Sequence, residues 1–489
     1  MIRCSIVLFL TLLLSGCTVG PDYKPPIVPV PKQWSEAPTG NHKGLPLPAQ
    51  PDQWWKTFND PVLNRLITDA IAANLDLKQA LVRVKEARAQ RWVTIAAGLP
   101  SITGKSNVSR RLNNSSSTSQ AGSASSGGGG FGFGSQIINI FQLGFDAQWE
   151  LDFFGGERRA IEAADANVDS EMESSRNVMV TLLGEVASNY IELRANQQLI
   201  AITRENLNSQ QETVRLTQIR QQAGFASWLE VAQAQSQAAT TEAFIPVYET
   251  VVKQSIHAIS VLLGREPEAL ALRLDNPGTI PAMASIVIAE LPSELLLRRP
   301  DIRQAERQIA KANANVGVAT AELYPRVNLA AFLGLQNMRI TDFTPIGKSW
   351  SAASSLTLPI FNWGRINANI RSKKAQFDQA FLAYQSTVLT AFKEVEDALV
   401  AYSKEQQRHK SLAEAVAASQ LSVQMADERY HRGLTMFLDV LQTQQALFQT
   451  QRNLADSEAQ LSTDLVVLYK ALGGGWQTEA IVSDAQLQK

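Results

Sequence analysis

The side chains able to carry acid–base, nucleophilic or metal chemistry are few in this chain and stand apart. Its four histidines, His42, His257, His409 and His431, are scattered, and none has the His/Glu or His/Cys spacing that a zinc site requires. Both cysteines, Cys4 and Cys17, fall within the first 17 residues, so the body of the chain can form neither a disulfide nor a thiolate site. Gly127 to Gly132 satisfies the Gly-x-Gly-x-x-Gly pattern, yet it lies in a Ser/Gly run with no strand-to-helix unit around it. Gly98 to Gly104-Lys105-Ser106 has five residues between its glycines where a phosphate loop needs four. No Gly-x-Ser-x-Gly elbow occurs, and Glu394 and Glu396 read as a solvated helix face. An enzyme reading therefore has no residue to stand on, and no cofactor or metal is expected.

Bulk composition narrows the classes further. The 489 residues are 45% hydrophobic and 19% charged, enough apolar surface for a large core. A net charge of −1 gives no overall basic field, so nucleic acid is not an expected partner. At the N-terminus, Arg3 precedes the apolar run Ile6 to Leu14, too short to span a bilayer but suited to export. The run ends in Leu14-Ser15-Gly16-Cys17, which resembles the bacterial lipobox: residues 1–16 would be a signal peptide, and Cys17 would carry an N-acyl diacylglycerol lipid such as palmitate. Thr18, where Asp would mark inner-membrane retention, resembles outer-membrane sorting. Residues 17–60, with Pro21, Pro25, Pro26, Pro29 and Pro31, read as an extended strap.

The elements beyond it come twice. Asp76-Leu77-Lys78-Gln79-Ala80 matches Asp301-Ile302-Arg303-Gln304-Ala305 at an offset of 225, and Ala87, Ala89 and Pro100 fall on Ala312, Ala314 and Pro325 at the same offset. Farther on the offset is 209: Gly224, Leu229, Val231, Gln233 and Gln235 meet Gly433, Leu438, Val440, Gln442 and Gln444, and Leu263-Gly264 meets Leu472-Gly473. The chain is read as a duplication, with a first repeat over 61–280, a second over 281–475 and a tail over 476–489. Residues 113–135 hold 15 Ser or Gly and are expected to be a long loop at an exposed tip of the first repeat.

Each repeat reads as helix, two strands, long helix, turn, helix. From Phe141 to Phe153 every odd residue is apolar, and every even one is Gln, Gly, Asp or Glu, a two-faced strand. Trp350, Ala352, Leu356 and Leu358 alternate more weakly, as do Val327, Leu329, Ala331, Leu333 and Leu335, while Ile102 to Val108 is the faintest run. Trp149, Phe153, Phe154, Phe361 and Trp363 stand where the aromatic girdle of a membrane barrel would be. Glu157 to Gln222 and Arg365 to Arg432 lack proline and would each make a helix roughly 100 Å long at about 1.5 Å per residue. Such helices, with narrow apolar stripes, have to lie side by side as a wall. They turn at Gly224 and Gly433 and return through Trp228 to Leu263 and Phe437 to Leu472. Four strands close no barrel, since single-chain barrels start at about eight strands, and a barrel of about eight is filled by side chains. A water-filled passage therefore needs at least three chains, closed by cyclic symmetry.

With these elements in place, the residues resemble the outer-membrane factor (TolC-like) family, in its lipoprotein NodT/OprM-like branch. The marks are Gly20-Pro21-Asp22-Tyr23, Trp34, Trp54-Trp55 with Phe58 and Asp60, Asn74-Leu75-Asp76-Leu77, Leu297-Arg298-Arg299-Pro300-Asp301, Pro359-Ile360-Phe361-Asn362-Trp363-Gly364 and Tyr430-x-x-Gly433. The resemblance implies a mostly α chain with a membrane β-barrel: a homotrimer whose four strands per chain form a 12-stranded barrel continued by a periplasmic α-helical barrel. It implies an outer-membrane exit duct of a tripartite efflux pump for small molecules such as drugs, working with a periplasmic membrane-fusion adaptor and an RND-like inner-membrane transporter. The exit channel of a type I protein or peptide secretion system, and a lipid-anchored coiled-coil protein without a pore, are the other readings. Adaptor contacts carry over to Gly224, Phe225, Ala226 and Ser227 and to Gly433, Leu434, Thr435 and Met436, although Met436 replaces the polar Ser227. The closed gate carries over to Leu438 and Asp439, with Gln442 at a spot that is acidic in some relatives. Arg220, Tyr430 and Arg432 precede the turns and would tie neighbouring helices shut.

Overall fold

The computed structural model describes residues 18–31, 34–35, 45–46, 51–114, 135–281, 286–287, 298–339 and 348–476. Cys17, most of the Ser/Gly run and the tail from 477 onward lie outside them. The first α-helix is α1 (Pro61–Ala73), and the reason for its start is local: the Asp60 carboxylate accepts from Val62 N at 2.7 Å and Leu63 N at 3.0 Å, with Pro61 pre-set for the first turn. Asn74 ends that helix by donating its N–H to Ala70 O, and starts α2 (Leu75–Ala97) by accepting from Leu77 N at 2.8 Å.

Four strands follow in two pairs: β1 (Ser101–Asn114) and β2 (Ser135–Leu151), then β3 (Arg326–Asn337) and β4 (Lys348–Thr357). They form one antiparallel sheet in the order β1-β2-β3-β4, so the two repeats meet at β2 and β3. Register puts Phe145 opposite Leu333 and Leu333 opposite Trp350, an apolar row across three strands. The other face carries Gln142, Asp146 and Gln148, with Lys105 3.5 Å from Asp146. Phe332 breaks that polar pattern. It lies on the polar face yet is buried, because Gly144 and Gly334 stand directly opposite each other and leave its ring a trough. A Cβ at Gly144 would come within 2.6 Å of that ring, so the strands need glycine at this crossing.

The long helices are α3 (Gly156–Gln222) and, after α7 (Pro300–Ala321), α8 (Arg365–His431); each of the two long ones has 67 residues. The returns differ. The second is one helix, α9 (Phe437–Ala471), whereas the first, expected as a single helix, is split at Ala243 into α4 (Trp228–Glu242) and α5 (Phe244–Leu262), followed by the short α6 (Ala271–Leu274). Pro246 explains the split: its ring excludes the carbonyl of Glu242 and it has no N–H to donate, while the counterpart at offset 209 is Ala455. Arg452, the counterpart of Ala243, sets its guanidinium 4.3 Å from the Phe244 ring beside the break.

The described residues divide into two compact units. One contains the sheet, with Phe154 stacked on Tyr324 at 4.8 Å and the Trp149 indole donating to Gly98 O at 3.0 Å. The other holds the main apolar core, built from Trp54, Leu63, Ile67, Leu183, Ile191, Ile256 and Tyr469 among others. At its centre the Tyr190 hydroxyl donates to Asp60 at 2.8 Å and accepts from Arg194 at 3.0 Å, and burial pushes its pKa up to about 12. Arg299, from the Arg-Arg-Pro-Asp run, is buried and held by Asp301 and Glu394, each at 2.7 Å, and by Ala471 O at 2.9 Å. No described helix is long and apolar enough to cross a membrane.

Candidate gate at the paired helical turns

Both turns close by the same backbone device. In the first, Gly224 N donates to Gln221 O and Phe225 N to Arg220 O, with Gly224 at φ +79°. In the second, Gly433 N donates to Tyr430 O and Leu434 N to Arg429 O, with Gly433 at φ +73°. These are Schellman ends, in which a left-handed residue lets the last carbonyls find donors. Gly264 and Gly473, also 209 apart, end the return helices in the same way.

Beyond the glycines the two turns part company. Ser227 caps α4 in a reciprocal box: Glu230 N donates to Ser227 Oγ at 3.3 Å and Ser227 N to Glu230 Oε1 at 3.2 Å. At the counterpart position Met436 has no oxygen to offer, and the Thr435 hydroxyl donates instead to the Asp439 carboxylate within its own turn. Asp439 and Glu230 are counterparts at offset 209; each is engaged by its own turn, but Glu230 gives that turn only its Oε1 and can reach further with Oε2. Glu230 does so, accepting from the Tyr430 hydroxyl at 3.3 Å and joining the first return helix to the end of α8.

Tyr430 is the centre of this cluster. It is 7% exposed and packs with Ala234, Phe437, Val440 and Leu441, its ring 5.4 Å from that of Phe437. The Arg220 guanidinium lies 4.5 Å from the ring centre, bringing α3 against α8. Burial holds the Tyr430 hydroxyl above its ordinary pKa; the Arg220 cation works against this and Glu230 with it. The phenol therefore stays a donor near neutral pH. Arg432, just past the end of α8, pairs with Glu428 one turn back, and among the described residues it makes no contact of that kind across helices.

Leu438 and Gln442 sit one helical turn apart and are exposed, with Asp439 half-buried beside them. Phe225, Leu434 and Met436 are each more than 60% exposed, at 77%, 62% and 71%, which is unusual for side chains so apolar. Ser227 and Glu230 escaped the sequence reading as a pair, although the Ser-x-x-Glu spacing and the 209 offset from Asp439 both point to them. Among the described residues no group of His, Cys, Asp and Glu could hold a metal ion.

Comparison with known proteins bears on what such turns belong to. The family model described as outer membrane efflux protein matches residues 66–265 and 291–474. Nodulation protein T of Rhizobium leguminosarum bv. viciae is 34% identical over 97% of this chain and 94% of its own length. The solvent efflux pump outer membrane protein SrpC of Pseudomonas putida is 33% identical over 96% of this chain and 98% of its own length. Among solved structures the outer-membrane channel OprN superposes with a TM-score of 0.86 at 34% identity, covering 94% of this chain and all of its own.

Proposed function

This chain belongs to the outer membrane efflux protein family and is an efflux channel of the outer membrane; from that premise we propose that it is the trimeric exit duct of a tripartite pump. The observation that carries the trimer is the open sheet: among the described residues β1 and β4 have no partner on their outer sides. An unpaired edge has no place in hydrocarbon, where every backbone group needs a partner, so other copies supply the missing strands. Three copies give the smallest closed barrel with a water-filled lumen. Apolar rows such as Phe145, Leu333 and Trp350 then face lipid, and the row of Asp146 and Gln148 faces the passage.

The periplasmic end is the regulated one in this reading. The exposed Phe225, Leu434 and Met436, with Ala226, Ser227 and Thr435 beside them, offer apolar knobs around the two turn glycines to the hairpin tips of a periplasmic adaptor. That adaptor connects the duct to an RND-like inner-membrane transporter, which selects the small-molecule cargo. Three copies of Leu438 exclude water at the axis, and three Asp439 carboxylates favour cations, with Gln442 leaving the next layer neutral. Arg220 and Glu230 hold Tyr430, and thereby the two hairpins, in the closed arrangement. A docked adaptor that favours the parted arrangement shifts this two-state balance. Cys17 carries the acyl anchor, and most of the chain stands in the periplasm.

The mass of the purified protein in detergent, with and without heating, tests the assembly. A species of three chains that becomes one on boiling is expected; a monomer before heating refutes the closed barrel.

A further inference from the structure

The run Thr18-Val19-Gly20-Pro21-Asp22 follows the candidate acylation site directly, and the gate makes no use of it. In the sheet-bearing unit this run is gripped at successive residues. Val19 N donates to Phe154 O at 3.0 Å, just past the foot of β2. Thr18 rests on Gly155, where a Cβ would come within 2.9 Å of the Thr18 Cα, and Gly155 has φ +80°. Gly20, at φ +92°, meets Gly317 of α7 so closely that a Cβ on Gly20 would lie 2.5 Å from the Gly317 Cα. Asn313, one helical turn before Gly317 and 5% exposed, donates its amide to Pro21 O at 2.9 Å. Arg159 of α3 completes the grip, donating to Asp22 at 2.6 Å, Glu162 at 2.7 Å and Val19 O at 3.3 Å.

The Arg159 side chain is only 5% exposed, whereas that of Asp22 is 81% exposed. Removing a guanidinium from water is costly, and two of the three acceptors that compensate it belong to the strap. Gly317 is needed twice, since a Cβ there would also press on Arg159 Cγ at 2.8 Å. A segment lying loosely on a surface does not require a glycine beneath it, a buried arginine beside it and a buried amide behind it. Residue 17 is one peptide from Thr18, about 3.8 Å along the chain.

We propose that Gly155, Arg159, Asn313 and Gly317 form a socket for Thr18–Asp22 that fixes where the acyl chains on Cys17 enter the membrane, at the foot of β2. The inference rests on the reading that Cys17 is acylated. The anchor and the strands thereby share one depth, and the strap transmits any pull on the lipid to α3 and α7 without slack.

The test uses the full chain in cells fed a photoreactive palmitate analogue, with adducts mapped after illumination, and hydrogen exchange at Val19 in the purified protein. Adducts concentrated on Leu151, Phe153 and their neighbours, with Val19 strongly protected, are expected for the unaltered chain. Asp22→Arg sets a like charge against Arg159, and Gly20→Val closes the approach to Gly317; both changes lie in the strap and spare the helices. Each should scatter the adducts and speed Val19 exchange about fivefold or more, the scale of one net hydrogen bond lost. A labelled chain whose adducts are scattered without any substitution, or are unmoved by both, overturns the socket while leaving acylation intact. A chain that takes up no label refutes the acylation reading and with it the role proposed here, and protection at Val19 then reports docking of the strap alone.

Discussion

Tyr430 uses its two ends separately, the ring under Arg220 and the hydroxyl on Glu230. Tyr430→Phe keeps the ring, its packing on Phe437 and the cation above it, and removes only the donor. A net hydrogen bond is worth about 1 kcal/mol, so the open-to-closed ratio should rise about fivefold per chain. Open probability in single-channel records checks this; a variant indistinguishable from the unaltered protein would leave the hydroxyl no part in closure. The chemistry of this cluster was only half legible in the sequence. Tyr430, Arg220 and Asp439 stood out from their distance to the turn glycines, but Glu230 did not. Both acids are engaged locally, Asp439 by Thr435 and Glu230 by Ser227, and the difference is that Glu230 meets Ser227 through Oε1 and keeps Oε2 for Tyr430. Spacing alone carries no record of that difference. Arg432, just past the end of α8, pairs locally with Glu428 at i−4.

Helices and turns were the most readable layer, because their signals are local. The odd-even alternation of Phe141 to Phe153 lies mostly in β2, and the two proline-free runs correspond to α3 and α8. The break at Ala243 went unread because one proline had to outweigh a continuous helical pattern on both sides of it. Gly433→Ala forces a Cβ into the left-handed region at the second turn and should cost about 1 kcal/mol, seen as a lower unfolding temperature with the closed conductance otherwise retained. Within α9, Asp464 is buried, and its carboxyl is pushed above its usual range mainly by that burial, with Gln460 opposing and Glu405 adding to it. A carboxyl that binds its proton more tightly folded than unfolded contributes its stabilisation in full below its unfolded pKa. That stabilisation is lost as pH rises through the raised value. Asp464→Asn should therefore raise the melting temperature at alkaline pH and flatten its dependence across the weakly acidic range; an unchanged pH profile would contradict the assignment.

At the scale of the whole molecule, the number of chains follows from closure, which one chain's strands cannot supply. In the proposed trimer the 12-stranded barrel and the helical tunnel would share that origin: each repeat contributes two strands and one hairpin of helices, and threefold assembly would complete both. The proposed acylation of Cys17 is an independent constraint. Cys17→Ser should abolish labelling by radioactive palmitate, and persistent label would place the acyl group elsewhere. The central claim, a gated duct held shut by the paired turns, is tested most directly by single-channel current of the purified protein in a planar bilayer, beside its Asp439→Ala variant. Small, mostly closed, cation-leaning currents that grow and lose their cation preference in the variant are predicted. A protein that carries no current, or equal currents from both proteins, would contradict the account.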